Sequence, residues 1–304
     1  MIKSITVTNY LGDSIKMELA RPEKSGFAIT SVTGIGPGKA DINMTELATN
    51  DGANFNSARL RSRNIVLSIK YLWTDSIEEA RHRSYKYFPI KKKVKLLFET
   101  DTRSAEIEGY VESNDPSIFS KEEGTDISIV CPDPFFYSSG LDGIKSTIFS
   151  GIEAAFEFPF ANESLLAPML ELSVMQVTTF KSVIYDGDAD VGVTISIHAN
   201  GPASGIRIYN TGTREQMGID DNRIKALTGT GLSSGDEIVI CTVKGKKSVT
   251  LIRDGARINI LNCISRNADW FQISKGDNVF AYTAETGADL LQFTITNQVV
   301  YEGV

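Results

Sequence analysis

The stretch Arg61-Ser62-Arg63-Asn64-Ile65-Val66-Leu67-Ser68-Ile69-Lys70-Tyr71-Leu72-Trp73 alternates with a period of two. It places Ile65, Leu67, Ile69 and Tyr71 on one face and Val66, Ser68 and Lys70 on the other, the signature of a half-buried β-strand. The clearest helix of the chain follows. Asp75 or Ser76 can cap it, Glu78 and Glu79 sit in its first turn at the positive end of the dipole, Arg81 to Lys86 continue it, and Pro89 ends it. Beyond it, residues 92 to 100 and 103 to 112 predict a hairpin across Asp101-Thr102, and 125 to 131 predict a further strand. Upstream, residues 2 to 8, 14 to 20, 26 to 33 and 39 to 45 read as short strands parted by Leu11-Gly12-Asp13, Arg21-Pro22-Glu23 and Gly34-Ile35-Gly36-Pro37-Gly38. Residues 46 to 58 are polar and hold no sustained period, so they read as a long ordered loop. The first part of the chain is therefore expected to be an antiparallel sheet with one helix.

Cys131-Pro132-Asp133-Pro134-Phe135-Phe136-Tyr137-Ser138-Ser139-Gly140 closes this part, because its prolines supply no ladder donors and its end is small and polar. The boundary is placed near 137, giving domains 1–137 and 138–304. The second domain reads as strands at 168 to 175, 179 to 185, 191 to 198, 204 to 210, 236 to 243, 246 to 253, 278 to 284 and 289 to 301. Strands with turn signals at this spacing predict a β-sandwich. Asn259 to Ser265 and the surroundings of Trp270 fit neither strand nor helix clearly. The fold class is mainly β.

With 304 residues the chain has room for two cores, and 41% apolar with 23% charged residues is the balance of a folded, soluble protein. A net charge of −7 opposes nucleic-acid binding, which needs clustered Lys and Arg. The one basic run, Lys91-Lys92-Lys93 with Lys95, reads as a solvated strand edge guarded by lysines. No run approaches the roughly 20 apolar residues of a membrane span. Met1-Ile2-Lys3-Ser4-Ile5-Thr6-Val7 alternates like a strand and does not resemble a signal peptide, so a cytoplasm-like setting is expected. Cys131, Cys241 and Cys263, odd in number and widely spaced, fit free buried thiols.

Motifs that would carry chemistry fall short one by one. Gly34-x-Gly36-x-Gly38 lacks the helix start that a phosphate cradle needs, and Gly229-Thr230-Gly231 lacks the Gly-Lys-Ser/Thr ending of a nucleotide loop. Asp186-x-Asp188-x-Asp190 begins like a calcium loop. However, Val191 stands where the sharp turn requires glycine and Ile197 where a bidentate Glu is required, so an acidic hairpin turn is the better reading. A nucleophile would have to use His82, between Arg81 and Arg83, or His198, at the end of the alternating run Val191, Val193, Ile195, Ile197; neither sits in a catalytic motif. Paired carboxylates for glycoside hydrolysis leave no local signature. Aromatic residues gather at Tyr85-Lys86-Tyr87-Phe88, read as anchoring the helix on the sheet, and at Phe135-Phe136-Tyr137, read evenly as core or as an interface between domains or subunits. No catalytic, cofactor-binding or metal-binding residue is predicted, and no cofactor.

Three stretches taken together resemble the N-terminal domain of siphophage distal tail (Dit) proteins. They are Glu46-Leu47-Ala48-Thr49-Asn50-Asp51-Gly52 through Phe55-Asn56-Ser57-Ala58-Arg59; Ser84-Tyr85-Lys86-Tyr87-Phe88-Pro89-Ile90-Lys91; and Gly109-Tyr110-Val111-Glu112-Ser113 running on to Ile118-Phe119-Ser120-Lys121-Glu122-Glu123-Gly124 and Cys131-Pro132-Asp133-Pro134-Phe135. The likeness covers residues 1 to about 137. It implies a first domain that is a β-sandwich with a helix, six copies of which close into a ring around the tail channel, and a second, galectin-like β-sandwich facing outward. It also implies a structural, non-enzymatic role in the virion, assembled in the host cytoplasm. The ring would be a hub of the tail tip or baseplate, meeting the tail tube protein above, the tail-associated lysin or tail-fibre protein below, and receptor-binding proteins at the side. A ring needs unlike faces that meet and close. The 46 to 60 loop, the Lys91 strand edge and the 113 to 124 loop are the candidates. Two alternatives stand beside this reading. One is a carbohydrate-binding module or adhesin that stacks a sugar on Trp270 or Tyr282; the other is an enzyme working through a carboxylate pair.

Overall fold

Alternating sequence becomes antiparallel strand along most of the chain, and the two resulting units differ in how they close. The computed structural model describes residues 1–46, 51–72, 76–120, 122–140, 143–154, 173–177 and 179–304. One compact unit comprises Met1–Gly143 with Val300–Val304, and the other Ile144–Val299.

The first unit contains β1 (Ile2–Thr8), β2 (Ser14–Glu18), β3 (Phe27–Thr33), β4 (Ala40–Glu46), β5 (Ala53–Leu60), β6 (Arg63–Tyr71), α1 (Ile77–Tyr87), β7 (Lys93–Thr100), β8 (Ser104–Pro116), β9 (Gly124–Cys131) and β10 (Phe136–Ser138). Its main sheet runs in the order β2-β1-β7-β8-β9-β6-β3. Inward residues of all seven strands, from Met17 on β2 through Val7, Leu96, Ile107, Ile129 and Leu67 to Phe27 on β3, belong to one core. A flat sheet cannot bring both of its ends onto one core, so the sheet must curl, as right-handed strand twist favours. α1 packs on this core through Ala80 and its C-cap residue Phe88, with the Tyr71 and Ser84 hydroxyls 3.1 Å apart and the Arg83 guanidinium 5.1 Å from the centre of the Phe27 ring. Ser76 stands at its N-cap without a side-chain capping bond, and the alternative cap, Asp75, lies outside the described residues.

Two expectations are corrected here. The second half of the expected loop, Ala53–Leu60, is a strand that pairs with β4 from Ala40↔Leu60 to Glu46↔Ala53. The lysines around Lys93 do not guard an edge: β7 lies between β1 and β8, and its lysines stand on the sheet face, Lys93 and Lys95 each 2.7 Å from Glu108 and Glu106 of β8. Cross-strand pairing with glutamates serves the same solubility purpose on a face as lysines do on an edge.

The second unit contains β11 (Ile144–Ile148), β12 (Ser150–Ala154), β13 (Ser173–Val177), β14 (Phe180–Tyr185), β15 (Val191–Gly192), β16 (Thr194–Ala199), β17 (Arg207–Asn210), β18 (Glu215–Gly218), α2 (Asp221–Thr228), β19 (Glu237–Cys241), β20 (Ser248–Arg253), β21 (Ala256–Asn259), β22 (Gln272–Ile273), β23 (Gly276–Thr283) and β24 (Leu291–Gln298). The first part of the expected strand 168 to 175 lies outside the described residues. A six-stranded sheet, β11-β24-β16-β19-β20-β21, faces a four-stranded sheet, β14-β23-β17-β18. Tyr282 of β23 stacks on Phe293 of β24 at 3.8 Å, with Phe149 at 6.2 Å from the one ring and 6.4 Å from the other, so aromatic faces join the two layers of a β-sandwich. The helix α2 was not expected, although its signals are local. Asp220 accepts from the Asn222 and Arg223 amides, and Gly229 at φ +82° closes the last turn on the Lys225 carbonyl.

The expected strand 289 to 301 divides. β24 ends at Gln298, and β25 (Val300–Tyr301) pairs with β10 in the first unit, Phe136↔Tyr301 and Tyr137↔Val300.

Candidate assembly surfaces

The β4–β5 hairpin is the most exposed regular structure of the first unit. Its register puts Ala40, Ile42 and Met44 opposite Leu60, Ala58 and Phe55, so one face is apolar up to Glu46, which stands opposite Ala53 at its far end, while Asp41, Asn43 and Thr45 share the other with Arg59, Ser57 and Asn54. A register shift between Asn43 and Met44 leaves Asn56 as the extra residue, and its amide donates to the Thr45 hydroxyl at 2.6 Å. Ile42, Met44 and Phe55 are 58, 57 and 66% exposed. Contiguous apolar surface of this kind marks an interaction site, and an isolated two-stranded hairpin is marginal in water. Burying the three large side chains against a partner would contribute about 1.5–3 kcal/mol each. On the polar face Arg61 donates to Asp41 at 2.6 Å, and this hydrogen bond holds the Asp41 carboxyl below its usual range.

The foot of the hairpin is built tightly. Arg63, the first residue after the returning leg, is 7% exposed. Its guanidinium donates to the Gly34 carbonyl at 2.7 Å and to the Gly36 carbonyl, to Pro134 O at 2.7 Å and to Glu302 O at 2.7 Å, and it lies 4.7 Å from the centre of the Phe136 ring. Burial pulls Arg63 down from the usual guanidinium range. Gly34 sits at φ +80°, and a Cβ there would lie 2.0 Å from the Asn64 carbonyl oxygen, so glycine is required on both counts.

The β8–β9 connection, within the expected 113 to 124 loop, is held by serines. The Ser120 hydroxyl donates to Ser117 O at 3.0 Å and Glu122 O at 2.7 Å, and the Gly124 amide donates to the Ser117 hydroxyl at 3.3 Å. At its tip Ile118 is 43% exposed and Phe119 is fully exposed. At Lys91, backbone at φ 63° turns the chain into β7, and the Lys92 ammonium lies 5.3 Å from the Tyr10 ring.

In the second unit the acidic turn makes ion pairs, Asp186 with Lys145 and Asp188 with Lys275 at 3.8 Å, and Lys145 holds the Asp186 carboxyl below its usual range. Among the described residues no group of three or more His, Cys, Asp or Glu could hold a metal ion. His82 is exposed on α1 with its ring 6.1 Å from Tyr85, and His198 lies on β16 opposite Glu237 and Gln292, so the two histidines belong to different units. Tyr282, weighed above as a sugar platform, is 1% exposed in the core, and Trp270 is half-buried with the Lys247 ammonium 5.0 Å from its ring. A cleft of about 670 Å³ is lined by charged residues including Arg207, Asp220, Asp221, Arg223 and Glu285. Within it Asp220 caps α2 and pairs with Arg223 at 3.2 Å, and Asp221 accepts from the Gly205 amide at 2.5 Å through one carboxylate oxygen while the other is buried without a hydrogen-bond partner.

Sequence reasoning pointed to the 46 to 60 region and the 113 to 124 loop but missed Ile42, Met44 and Phe55 as a face, and Arg63 as its foot. Ile42 and Met44 at i and i+2 were the available signal.

Residues 186–296 match the family described as Siphovirus-type tail component, C-terminal domain. No curated protein matches the chain. Among solved structures the chain is similar to the Dit protein (gp 19.1) of SPP1, described as a paradigm of the hub adsorption apparatus in phages infecting Gram-positive hosts. The TM-score is 0.64 at 13% identity, over 96% of this chain and 98% of that one. Structures of the phage P2 baseplate in its activated conformation, with Ca and with Sr, align with TM-scores of 0.48 and 0.46 at 11% identity, over 98 and 97% of this chain and 99 and 98% of theirs.

Proposed function

We infer that this chain, which carries the siphovirus-type tail component C-terminal domain in its second unit and the Dit fold throughout, is a structural protein of a phage tail tip. Its role is to hold other virion proteins in place, and no chemical step is assigned to it. The observation that carries the reading is the bare apolar face of Ile42, Met44 and Phe55, a surface that needs a protein partner. We assign that partner as a neighbouring copy. The first unit forms a ring of six around the tail channel, with the hairpin of one copy on a different face of the next, the head-to-tail contact that generates a closed ring. The exposed Phe119 tip is a second contact, aromatic anchors being typical of interface centres.

In this reading the second unit is an outward galectin-like sandwich. The ring joins the tail tube protein to the tail-associated lysin or tail-fibre protein, and receptor-binding proteins attach at its side. The carbohydrate alternative is not favoured, because Tyr282 is spent on the core stack with Phe293.

Light scattering after size exclusion, with negative-stain imaging of the largest species, tests the reading. Six-fold rings are expected, from the protein alone or after mixing with the tail tube protein. A chain that stays monomeric under both conditions refutes it.

A further inference from the structure

We propose that Val300–Val304, held by Arg63, is a latch that fixes the direction of the β4–β5 hairpin. The hairpin leaves the first unit through Gly34–Lys39 and returns through Arg61–Arg63, and among the described residues its strands pair only with each other. Arg63 ties the two legs together by donating to the Gly34 and Gly36 carbonyls on the outgoing side. The same guanidinium binds Glu302 O at 2.7 Å. The tail then touches the outgoing leg directly, with the Val304 amide donating to Ile35 O at 3.1 Å. Gly303 packs so closely on that turn that a Cβ would lie 3.1 Å from Ile35 O and 3.2 Å from the Gly36 carbonyl carbon.

The far side of the tail is anchored to the rigid sheet. Tyr301 pairs with Phe136 of β10, and the Arg103 guanidinium lies 4.4 Å from its ring. The tail is thus a strut between the sheet and the outgoing leg, locked by a buried cation. Hydrogen bonds to a charged donor are stronger than those between neutral groups, which suits them to hold a hinge in one position. Because the strut follows β24 in the chain, the hairpin acquires its docking direction only when the segment beyond the second unit is in place. An incomplete or displaced tail leaves a hairpin that forms but points variably. The latch deepens the ring reading, since it controls the surface on which that reading rests.

The test is pulsed electron paramagnetic resonance on the full chain, with spin labels at Asn43→Cys on the hairpin and Glu108→Cys on β8, in a Cys241→Ser background. Labelled chains are diluted into unlabelled protein so that distances within one copy dominate. Wild type is expected to give one narrow distance. Deletion of residues 300–304 is expected to lose it to a broad distribution, with added Val-Tyr-Glu-Gly-Val peptide restoring it. Gly303→Val, which keeps the tail but presses on the turn, should shift the distance. Arg63→Met tests the lock itself and is read alongside circular dichroism to show that the sheet is intact. An unchanged narrow distance in the deletion overturns the latch, whether or not the protein forms rings. Failure of wild type to assemble, with the distance still latch-dependent, overturns the ring reading and leaves the latch standing.

Discussion

The β4–β5 and β19–β20 hairpins obey the same local rule and meet opposite fates. In β19–β20, Ile238 faces Leu251 and Ile240 faces Val249, and all four are fully buried inside the second unit. In β4–β5, Ile42 faces Ala58 and Met44 faces Phe55, and both large pairs stand in solvent. Alternation specifies a strand with one apolar face, but it does not supply the second layer. Where the described residues provide that layer the result is a core; where they do not, an apolar face stays open.

Four measurements would break or sharpen this contrast. Leu251→Ala removes a covered side chain and should cost about 2–5 kcal/mol in chemical denaturation of the second unit. Gly34→Ala, at the foot of the bare hairpin, meets both a positive φ and a close Asn64 carbonyl, and should cost more than about 1 kcal/mol in unfolding of the first unit. A cost below this would mean the foot is as loose as the blade is bare.

A smaller effect is expected from Asp236, where β19 begins. Burial raises its pKa, but hydrogen bonds from Arg253 at 2.5 and 2.8 Å and from Ser233 outweigh this, and the net shift is downward from 3.8. Its contribution to stability is therefore full above the unfolded value and lost as pH falls through the lower folded one. Denaturation of Asp236→Asn between pH 7 and about pH 3 should show a weaker acid dependence than wild type. Phe55→Ser should have the smallest effect on stability, within about 0.5 kcal/mol in a monomeric melt, because its side chain is 66% exposed. It should nevertheless abolish the high-mass species in light scattering. A large stability loss from Phe55→Ser with assembly intact would reverse the contrast.

Most strands were legible because period two survives where a sheet face is buried. The misreadings have local causes. β5 resembles a loop in sequence because the extra residue Asn56 shifts its alternation and because Ala53, Ser57 and Ala58 add little hydrophobic signal. α2 is eight residues with one buried side chain, Ile224, too short to show a period, and only its Asp220 and Gly229 caps advertise it. The division after β24 is marked by Val299 and Val300, consecutive and both buried, which a single strand with one inward face does not allow. Exposure of the β4–β5 face was not legible at all, since an apolar stripe reads alike whether the covering layer belongs to the same chain or to another. The foot was illegible for a different reason: Arg63 works on carbonyls from residues 34, 36, 134 and 302, and such a set exists only after folding.

Cys131, buried at the end of β9 beside that foot, has a thiol that burial pushes up to about 12. Near neutral pH it is almost wholly protonated, and only the thiolate attacks alkylating reagents. A single atom thus carries an inbuilt gauge: iodoacetamide marks this sulfur when the first unit opens, so the rate at which the label accumulates reads how much of the protein is open at any moment.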